Sequence, residues 1–139
     1  HWADLLLLPT TYPLIWNQMR FMKTIELLIL VSAYGVITFV SLSHPAFRPN
    51  AGFESGNFDH FIAYLLLGTL TSCFSVHGLQ TRWLIFILPM YAGLMELGQL
   101  LVPGRQATVE TFFASAIGAW IGLLVGKGVR RLARQYLVG

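Results

Sequence analysis

Six polar side chains interrupt stretches of this chain that are otherwise apolar: His60, Tyr64, Glu96, Gln99, Arg105 and Glu110. An acid, an imidazole and a guanidinium are the parts of a site that handles protons or holds an anion. A carboxyl such as Glu96 can give or take a proton. His60 is of the type that changes charge near neutral pH, and Arg105 carries a planar, permanently charged fork suited to oxyanions. Tyr64 follows His60 by four residues and Gln99 follows Glu96 by three, spacings that share one face of a helix. Glu96, His60 and Arg105 are therefore the candidates for acid–base work, and Tyr64, Gln99, Arg105 and Glu110 for binding. The same groups also fit a structural role. An ionised glutamate at the centre of a bilayer costs roughly 3 kcal/mol, and less toward its edge, so it needs a partner, a proton or a wet crevice. Arg105 is the first partner expected for Glu96 and His60 the second, which would make the set an interhelical clamp.

Other chemistry leaves no mark. There is no paired-histidine zinc motif, no glycine-rich phosphate loop and no nucleophile elbow. Cys73 is the single cysteine, which excludes an internal disulfide and a cysteine-rich metal site; it is expected in the core. His44 and His77 have no second ligand at metal-like spacing and read as helix-end residues. Neither a metal nor a cofactor is called for.

The elements that must position these residues follow from composition. The chain has 139 residues, one domain's worth. It is 55% hydrophobic and 11% charged, where soluble domains carry about a quarter charged residues. A fold this small leaves too much surface exposed to hide that apolar content from water, so an integral membrane protein is expected. Nine Lys and Arg against six Asp and Glu is too small an excess to point to nucleic acid. The expected partners are the lipid bilayer and other membrane subunits. Apolar stretches lie at Leu27–Leu42, Phe61–Val76, Trp83–Val102 and Phe112–Gly126, each about 15 to 20 residues before flanking turns are added. Lipid offers no partner to open backbone, so the predicted fold class is all-α: an integral-membrane four-helix bundle. Pro45 and Pro49 end the first helix, Pro89 predicts a kink in the third, and Pro103-Gly104 closes it with a turn.

Residues 1–23 are expected to form an interfacial N-terminal arm or partner-binding strap, with 24–129 the transmembrane domain and 130–139 a basic tail. Leu5–Leu8 is too short to span, Pro9 and Pro13 are expected to break it, and Trp2, Tyr12 and Trp16 suit an interface. The alternative is that the chain proper starts at Met19 or Met22. With the N-terminus in the cytoplasm, Arg20, Lys23, Arg82, Lys127, Arg130, Arg131 and Arg134 lie inside, and only Arg48 and Arg105 outside. That distribution predicts both termini inside. His60, Glu96, Arg105 and Glu110 then converge near the outer surface, with Glu96 roughly 9 Å below its helix end. The basic tail is expected to continue the last helix and meet anionic headgroups. Ala114, Gly118, Gly122 and Gly126 recur at every fourth residue, a small-residue stripe that lets helix backbones approach in lipid. Packing within the chain is favoured over dimerisation.

His60-Phe61-Ile62-Ala63-Tyr64, Glu96-Leu97-Gly98-Gln99, Val102-Pro103-Gly104-Arg105 and Gly118-Ala119 with Gly122 together resemble the VanZ-like family. The similarity runs from Phe58 to about Gly126. The family consists of small bacterial membrane proteins, named after a member linked to teicoplanin resistance. The resemblance implies a bacterial inner membrane and a role in the cell envelope. Four positions depart from the family pattern. Gly56-Asn57 stand where an Asp-Lys pair is usual, and Thr111 and Ser115 stand where an Asp and an Asn follow the turn. Glu110 is one place early, about 100° away on a helix.

Two functions are weighed. The first is a non-catalytic membrane scaffold or accessory subunit of a larger complex, favoured by the depleted polar set and the intact packing stripe. The second is an envelope protein that binds or modifies a lipid-linked or glycopeptide-like headgroup outside. It would use Glu96 as acid or base, Arg105 as anion clamp and His60 as relay. Transport comes third, since four helices leave little room for alternating access.

Overall fold

The computed structural model describes residues 8–44, 56–74, 81–105 and 107–138. Among them the chain is all-helical: α1 (Leu8–Leu42), α2 (Gly56–Cys73), α3 (Thr81–Gln99) and α4 (Val109–Val138), with no strand. Two of these helices are long and apolar enough to cross a membrane, Trp16–Leu42 within α1 and Val109–Tyr136 within α4. α2 and α3 have 18 and 19 residues, close to 27 Å at about 1.5 Å per residue.

α1 departs from the expected break. It is one helix of 35 residues, so residues 8–23 continue directly into the apolar stretch. Pro9 falls in the first turn, where the missing N–H would be unpaired in any case. Pro13 comes a turn later and removes one further bond, and no proline follows before the helix ends. Trp2 and the start of the expected arm lie outside the described residues. Pro89 is accommodated inside α3, which runs as one helix across it.

The closest packing joins α2 to α4. A Cβ on Gly118 would strike the Phe61 carbonyl, and one on Gly122 would strike that of Leu65. At Gly126 it would lie 2.6 Å from the Ser72 Cβ. From the other side, Gly68 faces the Ala119 carbonyl with the same lack of room. The contacts ascend together in both helices, so α2 and α4 run parallel, backbone against backbone. Ala114, at the start of the small-residue row, is half-buried.

α3 lies antiparallel to α4. Trp120 Nε1 donates to the Ile85 carbonyl at 2.9 Å, and Gly93 faces the Phe112 ring. α1 joins through side chains: Tyr34 Oη and Thr71 Oγ1 are 3.0 Å apart, and Thr38 Oγ1 and Tyr91 Oη 2.8 Å. Tyr91 Oη also donates to the Tyr34 carbonyl, and the two rings meet edge to face at 5.1 Å. The core where the helices meet is Tyr64, Leu67, Leu84, Leu88, Ala92, Ala119 and Leu123.

Two local motifs set the connection between α3 and α4. The Arg105 amide donates to the Val102 carbonyl at 3.1 Å across Pro103-Gly104, and Gly104 has φ 79°. Proline at the second position and positive φ at the third are the marks of a type II turn, and this is why glycine is needed there. Thr108 then caps α4: its Oγ1 accepts from the Thr111 amide at 3.2 Å, while Thr111 Oγ1 accepts from the Thr108 amide at 3.3 Å. This is a reciprocal capping box with threonine at both corners.

Candidate functional site

His60, Glu96 and Ser115 meet from three different helices. His60 lies in the second turn of α2, Glu96 in the last turn of α3 and Ser115 in the second turn of α4. His60 Nδ1 is 3.5 Å from Glu96 Oε1 and 3.4 Å from Ser115 Oγ. Glu96 is 7% exposed and Ser115 1% exposed. The antiparallel course of α3 against both α2 and α4 brings these positions together at one end of the fold.

Chemically, this arrangement differs from a nucleophile relay. A serine–histidine–acid relay needs the hydroxyl on one ring nitrogen and the carboxylate on the other, so that a proton can pass through the ring. Here hydroxyl and carboxylate converge on the same nitrogen, at the outer limit of hydrogen-bond length. What the geometry supplies directly is a polar junction among α2, α3 and α4.

The remaining candidates are distributed around it. Tyr64, 2% exposed, is one turn deeper on α2, with its ring 6.1 Å from that of Tyr91. Gln99 is 2% exposed, and its Nε2 is buried with no hydrogen-bond partner. Glu96 Oε2 and Asp59 Oδ1 are likewise buried and unmatched. Buried polar atoms are paired in the great majority of cases, which makes this concentration unusual.

Arg105 corrects one expectation. Its Nη2 donates to the carbonyls of Val40, at 2.8 Å, and Ser41, while Glu96 takes His60 as its partner. The reason is the end of α1. The last four carbonyls of a helix lack intrahelical donors, and the glycine turn delivers Arg105 to two of them. Glu110 also stands apart: it is exposed in the first turn of α4, where a negative charge suits the helix dipole.

Sequence reasoning missed two features. Ser115 stood out only as a departure from a family pattern, and it is the third member of the junction. The Tyr34–Thr38–Thr71–Tyr91 network was not anticipated, although the four-residue step from Tyr34 to Thr38 is a readable sign that they share a face. Among the described residues, no group of three or more His, Cys, Asp or Glu is placed to hold a metal ion. No family model matches the chain, and neither does any curated protein or solved structure.

Proposed function

We propose that the chain is a multi-pass protein of the bacterial inner membrane, a four-helix bundle with both termini in the cytoplasm. It acts as a non-catalytic scaffold or accessory subunit of a larger membrane complex. The observation that carries this reading is the shared nitrogen of His60: carboxylate and hydroxyl converge on it from separate helices, the geometry of a clamp. Two further observations support it. The α2–α4 contact leaves no room for a side chain at Gly118 or Gly122, and such close backbone approach holds helices together in lipid. α1 turns a long apolar surface outward, with Phe21, Leu27, Leu28, Val31, Val36 and Phe39 all exposed. Only 6% of its apolar window is buried within the chain. Lipid and neighbouring subunits are the natural cover for it.

A second reading is a VanZ-like envelope protein that binds a lipid-linked or glycopeptide-like headgroup at the outer face. The unmatched Glu96 Oε2, Gln99 Nε2 and Asp59 Oδ1 favour it. Replacing Glu96→Gln in cells that lack the native copy separates the two. A clamp tolerates glutamine, which keeps an acceptor oxygen and the same shape, so the variant restores whatever deletion of the chain removes. If the variant reaches normal levels in the membrane and still behaves as the deletion does, the carboxylate is chemical and the second reading replaces the first.

A further inference from the structure

The C-terminal half of α4 carries Lys127, Arg130, Arg131 and Arg134 at i, i+3, i+4 and i+7, which puts four cations on one helical face. Together they line a cavity of about 180 Å³. Arg130 fixes one wall: its Nη2 donates to the Oγ of fully buried Ser72 at 3.5 Å. Ser72 belongs to α2 and lies against Gly126, where the α2 and α4 backbones are closely packed. Among the described residues, none of the four cations pairs with a carboxylate. Like charges three and four residues apart destabilise a helix, and this face has four such pairs: 127/130, 127/131, 130/134 and 131/134. A bound anion would offset that repulsion.

We propose that this cavity seats the phosphate of an anionic phospholipid. Arginine forks match phosphate oxygens in pairs. At roughly 30 Å³ per water, the cavity holds a phosphate with a few waters, and it falls short of the roughly 300 Å³ at which pockets for whole small molecules begin. A lipid held by its phosphate would leave its chains outside. Directly below the cations on the same face are Leu124 and Trp120, three and seven residues before Lys127, exposed to 69% and 43%. An exposed apolar strip leading away from a phosphate seat suits acyl chains and gives nothing to a free anion. The phosphate seat stands on the side chains themselves, while its lipid source rests on the membrane reading above.

The test uses the full chain in a neutral detergent. Dioleoylphosphatidylglycerol, cardiolipin or dioleoylphosphatidylcholine is added, and retained lipid is counted by native mass spectrometry; a parallel arm uses inorganic pyrophosphate. The seat predicts one phosphatidylglycerol or cardiolipin held per chain and no phosphatidylcholine. Arg130→Gln with Arg131→Gln is expected to lower retention at least about tenfold, as loss of charge-assisted arginine–phosphate bonds requires. Arg134→Gln, which leaves the Ser72 contact untouched, lowers it in the same direction if the first variant fails to fold. Arg82→Gln, a basic residue on the same predicted side, leaves retention within about twofold, because detergent strips lipid held only by diffuse attraction. Equal losses for Arg82→Gln and the cavity variants overturn the seat, as does retention of neither lipid nor pyrophosphate. Pyrophosphate bound without any anionic lipid overturns the lipid assignment. Carbonate washing of the membranes separates this from the membrane reading: a chain that stays in washed membranes yet holds no anionic lipid fails here only, and a chain released by carbonate fails there.

Discussion

The Nδ1 nitrogen of His60 is the meeting point of the polar junction. With Glu96 Oε1 and Ser115 Oγ both facing His60 Nδ1, removing His60 takes a partner from each of the other two, removing Glu96 or Ser115 takes one from His60, and an unmatched buried group costs about 1–3 kcal/mol. Glu96→Leu is therefore expected to lower stability in detergent by about that amount, and Glu96→Gln by about 1 kcal/mol or less; thermal unfolding followed by helicity compares them. Equal losses for both would mean that the charge, and not the hydrogen-bonding shape, holds the junction. Much of this was legible in the sequence, since Glu96, His60, Tyr64 and Gln99 are polar residues in apolar surroundings. Ser115 was not, because a small hydroxyl in an apolar run advertises no partner. The target of Arg105 was not legible either. It depends on where α1 ends in space, more than 60 residues earlier in the chain.

At the scale of elements, the fold rests on two kinds of contact. α2 and α4 are joined by their backbones, so bulk is excluded there. Gly122→Val puts carbon into the Leu65 carbonyl, and overpacking of this kind costs about 1–3 kcal/mol or more. Gly128→Ala is the matched control. A Cβ there meets nothing within 4 Å, and replacing a helical glycine by alanine gains up to about 1 kcal/mol. Titration with a denaturing detergent should therefore shift the two variants in opposite directions; a Gly122→Val protein as stable as the parent would mean that the α2–α4 contact is looser than described. α1 is held by hydroxyls along its length and by the Arg105 guanidinium at its end. Tyr91→Phe removes the Oη that meets Thr38 and the Tyr34 carbonyl, and at about 1 kcal/mol per hydrogen bond it should loosen α1 first. Faster amide exchange along residues 31–42 than along α2 is the expected sign, and uniform exchange would contradict it. The four-residue glycine repeat made the first contact readable in advance. The continuity of α1 was not, because the rule that proline breaks helices weakens in the first turns, where few bonds are lost.

The whole molecule has an apolar exterior on α1 and a row of cations at the far end of α4. Under the proposed topology these face lipid and the cytoplasmic headgroups. The orientation can be read with single cysteines in a Cys73→Ser background. Glu110→Cys, exposed at the start of α4, should react with an impermeant thiol reagent in intact cells. Gln135→Cys, near the other end of the same helix, should react only after permeabilisation, and the reverse pattern would invert the topology. Length and composition pointed to apolar helices from the outset, since 55% hydrophobic against 11% charged residues leaves few other solutions in 139 residues. What composition cannot name is the neighbour that covers α1, because an apolar helix face carries no address. The most direct measurement is gentle-detergent purification of the chain from its native membranes, with native-gel sizing and mass spectrometry of what accompanies it. Other membrane subunits are expected to accompany it in a stoichiometric assembly that survives Glu96→Gln. A chain that runs alone, with the polar junction intact, would contradict the scaffold reading.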